Sequence, residues 1–296
     1  MENKNKNIEE LVVFSGVYED TPENSVVTIP EGILEIAENA FRDFEHLVEI
    51  NLPRSLKKIS ACAFAGCANL KRVNMHFGVE EILDEAFSSC SSLTSVTIPD
   101  SCKRLGEGCF EACASLSSIK LSESITMIGS GAFAYCFNLT DVTIPDSCIL
   151  IEFNAFANCF SLEAIKLSDN MGLIDESTFE GCRSLKVVDM PTKLVKIGRR
   201  AFKGCTSLAS LILPVGVQVI GFDAFSDCSS LARIAIPKDI REIEDFDIFG
   251  GCDALTDISF GGTKERWEAI LGRNILSVQK SDCTVSIPKV SFMNLE

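Results

Sequence analysis

Histidine is almost absent from this chain: His46 and His76 are the only two among 296 residues. Tryptophan occurs once, as Trp267, and tyrosine twice. Positive charge is also scarce, with 27 Lys and Arg against 42 Asp and Glu, a formal net charge of −15. A nucleic-acid surface needs clustered cations to neutralise phosphates, so nucleic acid is not expected as a partner. The same deficit speaks against docking on an anionic membrane surface. No run of residues approaches the ~18 consecutive apolar positions of a membrane-spanning helix, so no membrane insertion is expected. The first residues, MENKNKNIEE, are polar, and the earliest apolar run, Leu11 to Phe14, is too short for a secretory leader. The expectation as written is a cytoplasmic protein, with a secreted or cell-surface one as the alternative if a leader has been removed.

Catalytic patterns are missing as well. There is no Walker loop, no dinucleotide fingerprint and no HExxH helix. A Cys–His pair needs a base within hydrogen-bond reach of an accessible thiol. The two histidines stand 30 residues apart and in different registers of the repeat described next. No catalytic residue, metal or cofactor is expected.

What the chain does have is a period. Phenylalanine recurs every 23 residues at Phe41, Phe64, Phe87, Phe110, Phe133, Phe156, Phe179, Phe202 and Phe225. Phe249 follows after 24, giving ten units. Three places after Phe stands Cys67, Cys90, Cys113, Cys136, Cys159, Cys182, Cys205, Cys228 or Cys252, with Phe44 in the first unit. Six places after Phe is always Leu, and further aliphatic residues follow at nine and eleven. An Ile or Leu also precedes each Phe, as Ile59, Leu105, Ile128 and Ile220 do.

The L-x-x-V-x-I portion predicts a short strand with both apolar side chains on one face. Pro30, Pro53, Pro99, Pro145, Pro191, Pro214 and Pro237 would end it by removing an amide donor. Where His76, Ser122 and Ser168 replace proline, the strand is expected to run on. The A-F-x-x-C portion predicts a single helical or 3₁₀ turn. One such unit cannot bury its apolar face alone, whereas stacking puts every column into a continuous core. The fold class expected is a repeat solenoid of about ten coils, with short parallel strands and short turns.

Segments such as SLTSVTIPDS (92–101) and IGSGAFAYC (128–136) resemble the BspA-type leucine-rich-repeat proteins, and the resemblance covers roughly residues 24–262. It implies a leucine-rich-repeat solenoid, often on or outside the cell of host-associated microbes and sometimes adhesive. GGTKERWEAI (261–270) resembles the closing segment found after the last coil in this family, with Trp267 laid over the open end of the core. The expected division is 1–23 as tail and cap, 24–262 as solenoid and 263–296 as cap helix and tail.

The nine cysteines of the column read as small, buried residues. A disulfide needs sulfurs ~2.05 Å apart, while stacked coils keep equivalent side chains near the coil spacing, so free thiols are expected. A line of thiols also does not offer zinc four converging ligands. Cys102, Cys148 and Cys109 fall in core columns, Cys62 breaks an otherwise polar column, and Cys283 is undecided.

Function is then expected in outward residues. Along the outer strand face the sequence is polar in the first six coils and turns partly apolar at Val187, Ile212 and Ala235, with Asp189, Ser210 and Arg233 beside them. These six residues form the first candidate surface for an unknown protein ligand. Phe137 and Phe160, directly after the column cysteine in adjacent coils, form the second. The basic stretch Lys193, Lys196, Arg199, Arg200 and Lys203 reads as a solvated face, or else as a landing site for an acidic partner. The best-supported reading is a non-catalytic protein-interaction scaffold; the alternative is an adhesin.

Overall fold

A computed structural model describes residues 13–16, 18–244, 246–272 and 289–292, the last four and residues 246, 247, 271 and 272 by backbone alone. Cys283 and residues 1–12 lie outside the described residues. The chain winds into a solenoid in which each 23-residue unit makes one coil. The expected columns coincide: Phe41 and the eight phenylalanines after it, at 23-residue steps through Phe225, are fully buried. Their rings stack nearly parallel down to Phe249, with centroids 5.0–5.9 Å apart and planes within 20°. At ~150–250 Å² buried per ring, this stack is the largest apolar column of the core.

Three walls enclose that core. The first is the predicted ribbon of three- and four-residue parallel strands, from Val26–Thr28 to Asp257–Phe260, joined by Lys289–Phe292. Where neighbouring coils pair, they do so in register, Val142 with Ile165 for instance. The second wall was not anticipated: the Ile before each Phe lies in a two-residue parallel strand, from Val13–Phe14 to Glu242–Ile243. Such a strand has one inward side chain and therefore no alternation to read.

The third wall is the turn around Phe. It carries the expected i→i+3 bonds, such as Ala40 N–H to Ala37 O (3.2 Å) and Arg42 N–H to Asn39 O (3.1 Å). It does not continue as a helix, because two residues per coil are left-handed. One column holds Asn39, Cys62, Glu85, Gly108 and Asn154; the other holds Asp43, Gly66, Ala112, Tyr135 and Asn158 (φ 53–75°). Alternating handedness turns every second amide along the solenoid axis. Three bonds therefore cross each coil boundary, as from Asn39, Phe41 and Asp43 to the carbonyls of Ala61, Ala63 and Ala65 (3.2, 2.8 and 2.7 Å). Gly, Asn and Asp tolerate this conformation, and they populate both columns. Cys62 is thus no anomaly of chemistry: it occupies a left-handed turn position (φ 53°).

The cysteine column does more than fill space. Each Cys N–H closes the turn onto its own Phe carbonyl, and each Sγ–H donates to the Phe carbonyl of the preceding coil at 2.9–3.3 Å. All the cysteines described are free thiols. Burial pushes the Cys67 and Cys113 thiols up to about 12, and Cys102 and Cys148 up to about 11.

One strand expectation is corrected. The strands before His76, Ser122 and Ser168 are three residues long, no longer than those ended by proline. Ser122 and Ser168 are completely buried, and their hydroxyls accept the amides of Ser124 (3.0 Å) and Asn170 (3.2 Å). A serine turn bends the chain where proline would.

At the N-terminal end Phe14 stacks on Phe41 (5.4 Å, 6°) and extends the aromatic column by one ring. At the other end, on helix Lys264–Gly272, Trp267 is buried against Phe260 (5.0 Å), and Arg266 donates to the Ile240 carbonyl (3.1 Å). The tail expected beyond that helix contributes a strand, Lys289–Phe292.

Candidate functional site

With the interior uniform, distinction lies in what the ribbons carry outward and where they are interrupted. No strand pairing joins Arg72–Asn74 to Ser95–Thr97, Ser118–Lys120 to Asp141–Thr143, or Val187–Asp189 to Ser210–Ile212. The second ribbon is interrupted once among the described residues, between Leu150–Ile151 and Leu173–Ile174. In intact steps of the first ribbon the amide after the strand crosses over, as from Leu167 to Asp189 O (3.1 Å) and Leu213 to Ala235 O (2.9 Å). Met75, Leu121 and Met190 make no such bond. The inward residues just before these gaps, Val73, Ile119 and Val188, are only partly buried.

The first candidate surface straddles one of these gaps. Val187 and Asp189 stand on its near side; Ser210 and Ile212 stand on the far side, paired in register with Arg233 and Ala235. Ile212 is 76% exposed and Val187 59%. Asp189, Ser210 and Arg233 are exposed, and Ala235 is half-buried. The other two gaps of this ribbon are flanked by polar residues, Asn74 with Thr97 and Lys120 with Asp141.

Phe137 and Phe160 do stack, at 4.9 Å and 13°. Arg183 covers the far face of Phe160 with its guanidinium carbon 4.6 Å from the ring centre, and Tyr135 meets Phe137 edge-on. The faces of Phe160 are therefore occupied, and Phe137, 37% exposed, presents mainly an edge to solvent. This pair belongs to earlier coils than the Val187–Ala235 group, and the two candidates do not merge into one site.

Every cation of the basic stretch has a partner within the chain. Lys203 and Arg200 reach Asp223 (3.1 and 3.7 Å), Lys196 and Arg199 reach Glu244 (3.5 and 3.7 Å), and Lys193 donates to Asn170 (2.6 Å). Lys196 and Arg199, with Asp175, Glu176, Gly198, Glu242 and Glu244, line an open depression of about 490 Å³ on the second ribbon. His46 sits 3.3 Å from Asp20, and His76 is exposed. Among the described residues no group of three or more His, Cys, Asp or Glu could hold a metal ion.

Sequence reasoning missed the apolar patch on the second ribbon. Ile149 is 63% exposed, Phe153 49% and Val195 43%, with Met127, Leu150 and Leu173 half-buried among them. Its sequence signal is the set of residues just before the inward Ile or Leu of neighbouring coils, apolar at Met127, Leu150 and Leu173 and charged in other coils, as at Glu81 and Arg104.

The model of the BspA type leucine rich repeat region (6 copies) matches residues 13–140 and 149–273. A leucine-rich repeat protein of Eubacterium ventriosum ATCC 27560 is similar with a TM-score of 0.59 and 24% identity, over 76% of this chain and 64% of that one. A leucine rich cell surface protein of Faecalibacterium prausnitzii A2-165 shares 28% identity at a TM-score of 0.44, covering 83% of this chain and 81% of the other. A leucine-rich repeat protein of Bacteroides ovatus ATCC 8483 shares 22% identity at a TM-score of 0.47, with 94% of each chain covered. No curated protein matches the chain. With coils, columns and caps in place and most of its length matched, this chain belongs to the BspA-type leucine-rich-repeat family.

Proposed function

We propose that the chain is a non-catalytic protein-interaction scaffold that holds its partner on the outer face of the first ribbon, at Val187, Asp189, Ser210, Ile212, Arg233 and Ala235. The observation that carries this reading is the pair of large aliphatic side chains, Val187 and Ile212, exposed on either side of an interrupted ladder. Apolar anchors ringed by polar and charged neighbours are the usual core of a protein interface. Phe137 and Phe160, in earlier coils, are a separate and smaller candidate contact, through the exposed ring edge of Phe137. Capture of a binding partner by the wild type, by Val187→Asp and by Ile212→Asp tests this. Each substitution should cut capture at least tenfold while Thr97→Asp, on the polar coils, leaves it unchanged. Equal capture by all four proteins rejects the face.

The second reading, a secreted or surface-displayed adhesin, uses the same face. The thiols are no obstacle to it, because eight of the nine column cysteines are buried, and burial disfavours the thiolates of Cys90 and Cys136, for instance, which protects them against oxidation. No helix among the described residues is long and apolar enough to cross a membrane. The proposed division remains a solenoid over 24–262 flanked by 1–23 and 263–296. Phe14 stacking on Phe41 and strand Lys289–Phe292 support including short flanking pieces in the folded body.

A further inference from the structure

The gap in the second ribbon has a feature of its own. Ile149, Gly172 and Val195 occupy one column, in consecutive coils. Gly172 lacks the positive φ that would demand glycine. A Cβ built there would meet nothing nearer than the Lys193 carbonyl oxygen at 3.9 Å, ordinary contact distance. Neither backbone strain nor crowding therefore accounts for this glycine. Its effect is a notch between two exposed aliphatic side chains roughly 10 Å apart, at two coils of ~4.8 Å each. Half-buried Leu150 and Leu173 stand on the two strands that fail to pair there.

One coil further along, the surface changes from apolar to charged. Phe153 shares a column with Glu176 and Arg199, and the depression described above begins there. Four carboxylates line it, those of Asp175, Glu176, Glu242 and Glu244, against two cations, Lys196 and Arg199. Both cations pair with Glu244 alone. Asp175, Glu176 and Glu242 form no ion pair among the described residues. The depression thus carries uncompensated negative charge directly beside an apolar notch.

We propose that this notch and depression form a second docking site, for an extended peptide segment that places an aliphatic or aromatic side chain over Gly172 and an Arg or Lys beside Asp175 and Glu176. The apolar side chain would fill the space between Ile149 and Val195, and the cation would complete the carboxylate set. A large apolar group anchors and a flanking charge sets direction, which gives specificity as well as affinity. This surface is separate from the first-ribbon face, so either can fail without the other.

The experiment is selection of phage-displayed random heptapeptides on the intact chain, followed by fluorescence polarisation with the enriched peptides. The enriched sequences should carry Arg or Lys next to an aliphatic or aromatic residue. Their affinity should fall at least tenfold on Gly172→Leu, which fills the notch without touching the core, and on the double change Asp175→Asn with Glu176→Gln. Ile149→Asp serves as the second notch variant should Gly172→Leu fold poorly, and Ile212→Asp should bind as the wild type does. Enriched peptides without a basic residue, undiminished binding to the notch variants, or no enrichment at all overturns the proposal. So does sedimentation showing a dimer that Gly172→Leu abolishes, which would assign the notch to a second copy of this chain.

Discussion

Between the coil of Phe179 and that of Phe202, the turn wall keeps all its amide bonds while the first ribbon makes no strand pairing. Ser177, Phe179 and Gly181 donate to the carbonyls of Arg199, Ala201 and Lys203 at 2.7–2.9 Å. On the ribbon side of the same step, Val187–Asp189 and Ser210–Ile212 are unpaired. The step before repeats the contrast with the second ribbon: Asn154, Phe156 and Asn158 bond to Glu176, Thr178 and Glu180, while Leu150–Ile151 and Leu173–Ile174 do not pair. The stacked rings run through both steps without a change of spacing, at 5.7 Å and 5.4 Å. Each coil is thus fixed to the next by the turn wall and the aromatic column behind it. The ribbons are free to depart from the repeat, and Val187 with Ile212, and Ile149 with Val195, stand exposed at two of their interruptions.

The largest effect that sharpens this contrast is expected for Phe133→Ala. Removing a fully buried ring from the column should cost ~3–5 kcal/mol in denaturant unfolding. Ile212→Asp, on the exposed ribbon face, should stay within ~0.5 kcal/mol of wild type. A ribbon substitution as costly as the column substitution would break the comparison.

A smaller effect, of opposite sign, is expected within the turn wall. Ala112 holds a left-handed conformation (φ 56°) where the equivalent residue of other coils is Gly66, Gly181 or Gly204. Ala112→Gly relieves a strain of ~1–2 kcal/mol, less the extra freedom glycine gains in the unfolded chain. The net should be a rise in Tm of about 2 °C by calorimetry.

The smallest effect concerns Glu111, on the turn wall. Burial, and then the neighbouring Glu85 and Glu107, hold its carboxyl above the ordinary 4.5. A carboxyl raised in the folded state penalises folding when ionised, and the penalty disappears once both states are protonated. Glu111→Gln should therefore raise Tm slightly at pH 7, by about 1 °C. The advantage should fade as pH falls through the raised folded value and be gone below 4.5. An advantage that persists at low pH would point to packing instead of charge.

Much of this architecture could be read from the sequence, and the exceptions have physical reasons. The Phe, Cys and Leu columns are visible because a fixed 23-residue step is imposed by identical coils sharing one interior. Phe14 escaped notice because it precedes Phe41 by 27 residues, outside that step. The second ribbon escaped because its strands expose one side chain inward and offer no alternation. In sequence Ser122 and Ser168 look like the loss of a strand stop, whereas a hydroxyl accepting an amide two residues on does the same work as proline. The left-handed columns could have been found from their Gly, Asn and Asp content, which also would have placed Cys62. The candidate face on the first ribbon was legible as a run of outward residues, but the ladder gap it straddles depends on packing between coils, which no single column encodes. The notch at Gly172 was hidden for a related reason: a glycine in a loop reads as a turn until its φ and its empty surroundings are known.

Amide hydrogen exchange followed residue by residue tests the central claim most directly. The amides of Phe156, Phe179 and Phe202 should be among the slowest to exchange, because the turn wall is continuous through them. Those of Met75, Leu121 and Met190 should exchange far faster than their counterparts in Leu52, Ile98, Ile144, Leu167 and Leu213. Uniform protection across all these positions, or faster exchange at the phenylalanine amides than at the ribbon gaps, would contradict the account.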